Sequence, residues 1–221
     1  MAETMTSAKI RAVLFDMDGV LIEARDWHYE ALNQALALFG MSISRYDHLV
    51  TFDGLPTRKK LEMLSLERGL PRELHAFLNE MKQTYTMQWV LTRCKPRFAQ
   101  ERALSVLKAK GYKQAVCSNS IRDTIETMMR CAALDKYLDL MLSNQDVSAG
   151  KPDPEMYLKA MSHFGLRPEE CLIVEDNDHG IRAARDSGGH LLVVKSVDEV
   201  NLENILARIA EIESGVVARA A

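Results

Sequence analysis

The chain has 221 residues, 47% of them hydrophobic, which is enough to bury a core. Its formal net charge of -3 gives no reason to expect a nucleic acid or an anionic membrane as a partner, and no apolar stretch approaches the length of a membrane span. The N-terminal segment contains an acid and lacks the apolar run of a secretory signal, and the four cysteines form no C-x-x-C pair. We therefore expect a cytoplasmic protein with reduced thiols.

Apolar spacing divides the chain into a first strand, a helical insertion and a long alternating region. The run over residues 10–15 predicts a buried strand. Stripes within 31–39, 61–66 and 71–81 then predict three helices with no strand between them. From residue 98 the pattern predicts helices over 98–110, 121–131, 154–164, 178–187 and 200–213, and strands over 113–117, 139–142, 171–174 and 190–194. Such alternation is typical of an α/β protein with a parallel sheet.

Two carboxylates stand directly after the first predicted strand. Side chains two positions apart on an extended chain point the same way, so Asp16 and Asp18 would crowd one site. A divalent cation would relieve their repulsion, and a cluster of oxygen ligands suits a hard ion such as Mg2+. Because ligands of open α/β sheets bind beyond the carboxyl ends of the strands, the helical insertion would cover this site as a lid.

Three later segments add further polar groups. Ser118 and Asn119 come just after the apolar run 115–116, Lys151 lies in a segment that opens a helix, and Glu175 and Asp176 follow the run 172–174. With this order of acid pair, hydroxyl, lysine and acid pair, the chain resembles the haloacid dehalogenase superfamily, in its branch of phosphatases and phosphomutases, over about residues 9–194.

The resemblance implies a Rossmann-like parallel sheet core with an inserted α-helical cap. The expected division is a core of residues 1–22 and 93–221 and a cap of residues 23–92. It also places a histidine of the mutase branch at His28, although a half-buried helix face explains this residue equally well.

Four residues carry the expected chemistry. Asp16 is suited to attack phosphorus and form an aspartyl phosphate. Asp18 would protonate the leaving oxygen and later activate water. Ser118 would donate a hydroxyl hydrogen bond to a phosphate oxygen, and Lys151 would supply a mobile positive charge that holds the phosphate.

The expected cofactor is Mg2+. Asp16 and Asp176 would bind it, with Glu175 coordinating directly or through water. The resemblance adds the backbone carbonyl of Asp18 as another ligand. The candidate metal residues are therefore Asp16, Asp18, Glu175 and Asp176.

Candidate substrate-binding residues lie mostly in the insertion. They are His28, Thr57, Arg58 and, in the core, Asn119. The mutase branch has a phosphate-binding arginine three residues after a glycine, where this chain has Thr57, so Arg58 is displaced by one position. Arg58 to Lys60 form a basic run that could meet an anionic substrate, but such a run at a helix start is more often solvated.

These residues predict a Mg2+-dependent phosphatase of a small phosphorylated metabolite, with a sugar phosphate as the leading candidate. A phosphomutase similar to beta-phosphoglucomutase is the alternative, but it needs a second phosphate site in the cap. A dehalogenase would not need Asp18, and a non-catalytic phosphometabolite-binding protein would not need the intact set of polar residues. We expect the small metabolite as partner, with no nucleic acid or membrane, and a monomer or weak dimer.

Overall fold

A computed structural model describes residues 9–215, so the N-terminal segment used for the localisation prediction lies mostly outside the described residues. One parallel sheet is found in this part of the chain, with strand order β3-β2-β1-β4-β5. Its strands are β1 Ala12–Phe15, β2 Lys113–Cys117, β3 Leu140–Leu142, β4 Cys171–Glu175 and β5 His190–Val193. The predicted α/β class with a Rossmann-like parallel core is confirmed.

The helices also follow the predicted order, with one additional short turn at residues 45–47 that the sequence pattern did not predict. Between β1 and α5 lie α1 Arg25–Ala37, the single turn α2 Arg45–Asp47, α3 Thr57–Arg68 and α4 His75–Arg93. The others are α5 Phe98–Ala109, α6 Arg122–Cys131, α7 Glu155–Phe164, α8 Asp178–Asp186 and α9 Leu202–Glu213. Within residues 9–215, no helix combines the length and the apolar character that crossing a membrane requires.

The central strand β1 organises the hydrophobic core on both faces of the sheet. All four of its residues have no exposed surface, as expected for a parallel strand covered by helices on both sides. Val13 and Phe15 pack in one apolar cluster, and Ala12 and Leu14 pack in another. Ala12 pairs with Lys113 of β2 and with Cys171 of β4, which brings the carboxyl ends of the three strands to one edge.

The helices of the insertion have an apolar cluster of their own. Leu32, Leu61 and Leu78 belong to this cluster, which contains no strand residue. The stripe predictions are wrong for Leu66, which is 78% exposed, and for Phe39, which follows the end of α1 and is 42% exposed. Leu66 lies two positions beyond Leu64, off the buried face of α3. The separate cluster supports the division into core and cap, whose boundaries stay a proposal.

Candidate active site

A cavity of about 490 Å³ lies at the carboxyl edge of the sheet, beneath helices α1, α3 and α4. The sheet order reverses around β1 here, which is where ligands of open α/β sheets bind. Asp16 follows β1, Ser118 follows β2, and Asp176 follows β4. The cavity is lined by the predicted residues Asp16, Asp18, His28, Thr57, Arg58, Ser118, Asn119, Lys151 and Asp176.

Lys151 is held at the floor of this cavity by two carboxylates. Its Nζ donates to Oδ1 of Asp16 and to Oε1 of Glu175, each at 2.6 Å. Tyr157 donates its hydroxyl to the same Oε1 at 2.6 Å. The prediction of a mobile charge is wrong, because the lysine side chain is only 3% exposed and is fixed by both carboxylates.

The pKa values of the ionisable groups at this floor are strongly shifted. Burial and the nearby charge of Glu175 raise the pKa of Asp16 well above its ordinary value, against the opposing effect of Lys151. Burial alone would lower the pKa of Lys151, but Asp16 and Glu175 raise it above its ordinary value. The lysine therefore stays protonated, while Asp16 needs further positive charge to ionise readily.

Glu175 lies behind the cavity rather than in its lining. Its Oε2 accepts from the backbone N–H of Asp176 at 3.1 Å and from Nδ2 of Asn177 at 3.4 Å, while Oε1 binds Lys151 and Tyr157. Both oxygens are thus engaged, and the side chain anchors the lysine.

Asp176 faces the cavity and bridges to the insertion. Its Oδ2 accepts from Arg25 at 2.6 Å, and Nε of Arg25 lies 3.2 Å from Asp53. Burial and the charge of Glu175 raise the pKa of Asp176 to about 6, although Asn177 and Arg25 act in the opposite direction. Arg25, the first residue of α1, therefore links the loop around Asp53 to the floor.

The carboxylates could hold a divalent metal ion. Asp16, Glu175 and Asp176 each offer an oxygen within 4.8 Å of the others, and oxygen ligands suit Mg2+. Only glycine fits at position 19 beside this cluster, because its φ is +86° and a Cβ there would lie 2.0 Å from Oδ2 of Asp176. The carboxylate of Asp18 is not part of this cluster, and its role as a ligand stays a prediction.

Asp18 instead meets His28 and Ser120. Nε2 of His28 lies 3.2 Å from Oδ1 of Asp18, and Ser120 donates to Oδ2 at 3.3 Å. Burial would raise the pKa of Asp18, but these neighbours lower it below its ordinary value. Burial and then Lys82 lower the pKa of His28, so His28 is mostly neutral at pH 7. Among the neighbours that lower the pKa of Asp18, His28 has the largest effect, followed by Lys82 and then by the hydrogen bond from Ser120.

Ser118 and Asn119 have different surroundings. Oγ of Ser118 accepts from the backbone N–H of Ser120 at 3.1 Å, so its hydroxyl hydrogen is available to a ligand. The amide of Asn119 accepts from the N–H of Lys151 at 2.9 Å and donates to the carbonyl oxygens of Lys151 and Gly54. Asn119 therefore holds the lysine loop and the insertion loop together, and its contact with substrate stays a prediction.

The two candidates at the start of α3 reach only the rim. Thr57 is half-buried and lines the cavity. The side chain of Arg58 is 88% exposed, and its Nε lies 3.5 Å from Glu62 one turn later. The displaced arginine therefore does not enter the site in this structure.

Sequence reasoning missed several residues around the cavity, and for Lys60 it left open whether the side chain would meet an anionic substrate or be solvated. Lys60 and Lys82 are each only 7% exposed and line the cavity. Lys60 lies four residues before Leu64, and Lys82 lies four residues after Leu78, so each lysine shares the apolar face of its helix. Arg25, His48 and Ser120 showed no comparable pattern.

The parallel sheet, the helical insertion over its carboxyl edge and the floor of carboxylates and lysine define an α/β enzyme with a covered active site. The family model for haloacid dehalogenase-like hydrolases matches residues 13–194, so the chain belongs to this family of hydrolases. The resemblance inferred from the motifs is confirmed.

Curated relatives agree with this assignment. A protein from Thermotoga maritima named phosphorylated carbohydrates phosphatase is 29% identical over 183 residues, covering 81% of this chain and 82% of the relative. A phosphoglycolate phosphatase from Aquifex aeolicus is 28% identical, with 81% and 82% covered.

Solved structures share the fold. A beta-phosphoglucomutase from Clostridium difficile superposes with a TM-score of 0.78 at 21% identity, over 91% of this chain and 98% of that one. CbbY from Rhodobacter sphaeroides, solved with phosphate, gives a TM-score of 0.77 at 21% identity, with 83% and 85% covered.

Proposed function

We propose that the protein is a Mg2+-dependent phosphatase that hydrolyses a small phosphorylated metabolite, with a sugar phosphate as the leading candidate, through an aspartyl phosphate on Asp16. The observation that carries the proposal is the pairing of Asp16 with buried Lys151 at the floor of one cavity that Asp18 and Ser118 also line. A carboxylate nucleophile, a fixed cation, a proton carrier and a hydroxyl donor are the groups that phosphoryl transfer requires.

The two chemical steps use Asp16 and Asp18. An oxygen of Asp16 attacks the phosphorus while the ester bond breaks, and Asp18 gives its proton to the leaving oxygen. Asp18 then takes a proton from water, whose oxygen attacks the aspartyl phosphate, releases inorganic phosphate and regenerates both carboxyl groups. The lowered pKa of Asp18 suits this second step, in which it acts as a base.

Lys151 and Ser118 position the phosphoryl group. Lys151 is locked between Asp16 and Glu175, so its charge is in place before a substrate arrives. Ser118 has a free hydroxyl hydrogen beside the same floor.

Asp16 and Asp176 would hold Mg2+, with Glu175 behind them and the backbone of Asp18 as a further candidate. The ion would neutralise the charge shared by the nucleophile and the phosphate. The raised pKa values of Asp16 and Asp176 support this assignment, because crowded carboxylates ionise more readily beside a cation.

The names of the curated relatives support hydrolysis of a phosphorylated metabolite. The exposed side chain of Arg58 pairs with Glu62, so it does not make the contact expected of the phosphate-binding arginine of the mutase branch, and a phosphomutase stays the alternative. A cytoplasmic location and a monomeric or weakly dimeric state stay predictions.

The test is phosphate release from a panel of phosphorylated metabolites, with MgCl2 or with EDTA, and with product isomers measured in the same reactions. We expect Mg2+-dependent release, its loss in Asp16→Asn, and its retention in the control Asp186→Asn, which changes an exposed acid at the end of α8. In Asp176→Ala the Mg2+ titration should shift to higher concentration. Equal release by Asp16→Asn would overturn the proposal, and isomerisation without release would favour the mutase.

A further inference from the structure

The ceiling of the cavity contains two buried lysines that the proposed chemistry does not use. Lys60 comes from α3 and Lys82 from α4, and both line the cavity with 7% of their surface exposed. A buried ammonium group loses much of its hydration and usually needs a charged partner. An anionic group of a ligand in the cavity would supply such a partner.

Lys60 has no such partner among residues 9–215, where its Nζ makes no hydrogen bond or ion pair. The acid Asp53, which acts on it from a distance, is in contact with Arg25 at 3.2 Å. Lys82 contacts only Nδ1 of His28 at 3.1 Å, and a histidine cannot neutralise an ammonium group. Neither lysine is therefore in contact with an acidic side chain in this part of the chain.

The perturbed ionisation of these lysines agrees with this arrangement. Burial lowers the pKa of Lys60 to about 8, against the attraction of Asp53 and Asp18. Burial and the charge of Lys60 lower the pKa of Lys82 to about 7. A bound anion would reverse both effects by favouring the charged forms.

His48 adds a third unsatisfied group to the same cavity. It is 2% exposed, and neither ring nitrogen has a hydrogen-bond partner in the described part of the chain. Its Nε2 is 4.0 Å from Asp53, beyond hydrogen-bond distance. A polar side chain buried in this way normally finds a partner, so a ligand group is the natural complement.

We propose that Lys60, with Lys82 and His48, binds a second anionic group of the substrate, at the opposite side of the cavity from Lys151. The substrate class is then a short carbon skeleton with a phosphate ester at one end and a phosphate or carboxylate at the other. This inference rests on the proposed phosphatase function. The volume of about 490 Å³ suits a molecule of that size.

The lysines at the ceiling and at the floor of the cavity differ in whether they form ion pairs. The cation Lys151 is neutralised by Asp16 and Glu175, whereas Lys60 faces the cavity without an ion pair. The exposed Arg58 pairs with Glu62, so it offers less to a ligand than its buried neighbour Lys60. Recognition of a second anion therefore falls to the buried lysine.

The experiment compares substrates that differ only in the second anion. One pair is 3-phosphoglycerate and glycerol 3-phosphate, and the other is fructose 1,6-bisphosphate and fructose 1-phosphate. We expect a higher kcat/KM for at least one doubly anionic member. Lys60→Met should raise its KM about ten- to a hundredfold, as expected for loss of a charged hydrogen bond, and leave the singly anionic mate unchanged. Lys59→Met, at the exposed adjacent position, is the matched control.

A binding measurement separates this inference from the proposed function. The Asp16→Asn protein is titrated by calorimetry with 3-phosphoglycerate and with glycerol 3-phosphate, and the titration is repeated with Lys60→Met added. Selective weakening of 3-phosphoglycerate supports the ceiling site even if no ester is hydrolysed. Equal effects of Lys60→Met on both members of each pair, or no effect on any of them, overturn it. If the doubly anionic member is preferred in just one of the two pairs, the second anion is a carboxylate when that pair contains 3-phosphoglycerate and a phosphate when it contains fructose 1,6-bisphosphate.

Discussion

Replacing Lys60 by methionine should make the ligand-free protein more stable at pH 7. Methionine has a similar length and no charge, so it can occupy the apolar face of α3 without the cost of burying an ammonium group. Folding lowers the pKa of Lys60 from 10.5 to about 8. At about 1.4 kcal/mol per pH unit, the protonated lysine costs the folded state on the order of 3 kcal/mol.

The size of this stability difference depends on pH. Below pH 8, Lys60 is protonated in both the folded and unfolded states, and the full cost is present. Between about pH 8 and 10.5 the folded state releases its proton first, so the stability of the wild-type protein rises with pH. The advantage of Lys60→Met should therefore be largest at pH 7 and should shrink as the pH approaches 10.5.

Urea unfolding at pH 7, 8.5 and 10 measures this advantage. We expect the free energy of unfolding of Lys60→Met to exceed that of the wild type by roughly 3 kcal/mol at pH 7, with an unchanged m-value. Lys59→Met changes an exposed neighbour and should stay within about 0.5 kcal/mol of the wild type. A Lys60→Met protein that is less stable at pH 7, or whose advantage does not depend on pH, would refute the reasoning.

Three other perturbations test the floor. In Gly19→Ala the new Cβ would lie 2.0 Å from Oδ2 of Asp176, so phosphate release should fall steeply. Gly40→Ala is the control, because Gly40 has a similar φ of +69° but no atom within 4 Å of the new Cβ, and this variant should lose stability only. Equal losses of activity in the two variants would contradict this reasoning. In Lys151→Met two buried carboxylates lose their cation, so urea unfolding should show a loss of about 3 to 5 kcal/mol, and a loss below about 1 kcal/mol would exclude the buried pair as a stabilising contact. Asp18→Asn should lower kcat about a hundredfold or more in both ester cleavage and hydrolysis, measured by rapid quench, and an unchanged kcat would remove Asp18 from the proton transfers.

The order of strands and helices could be predicted from the sequence because it depends on local patterns. Each sheet strand overlaps a predicted apolar run, and β4 ends one residue later than expected because the backbone of Glu175 still pairs with Val193 of β5. The polar residues that follow these strands could be predicted as a group for the same reason, since the carboxyl ends of parallel strands meet at one edge.

The partners of these residues could not be predicted, because they depend on contacts distant in sequence. Lys151 binds Asp16 across 135 positions, and Arg25 binds Asp176 across 151 positions. The local pattern could not decide between the two possibilities for Lys60, because a basic run is more often solvated, whereas α3 places this lysine on its buried face beside the cavity. A lysine on an otherwise apolar helix face is the signal that would have found it.

The separate apolar cluster of the insertion has a consequence for redesign. Leu32, Leu61 and Leu78 hold α1, α3 and α4 together without contributions from the strands. Cavity-facing positions of α3 and α4 can therefore be randomised in a library while the core keeps Asp16 and Lys151 in place. Substitutions on these two helices are therefore a direct way to change which metabolites the cavity accepts.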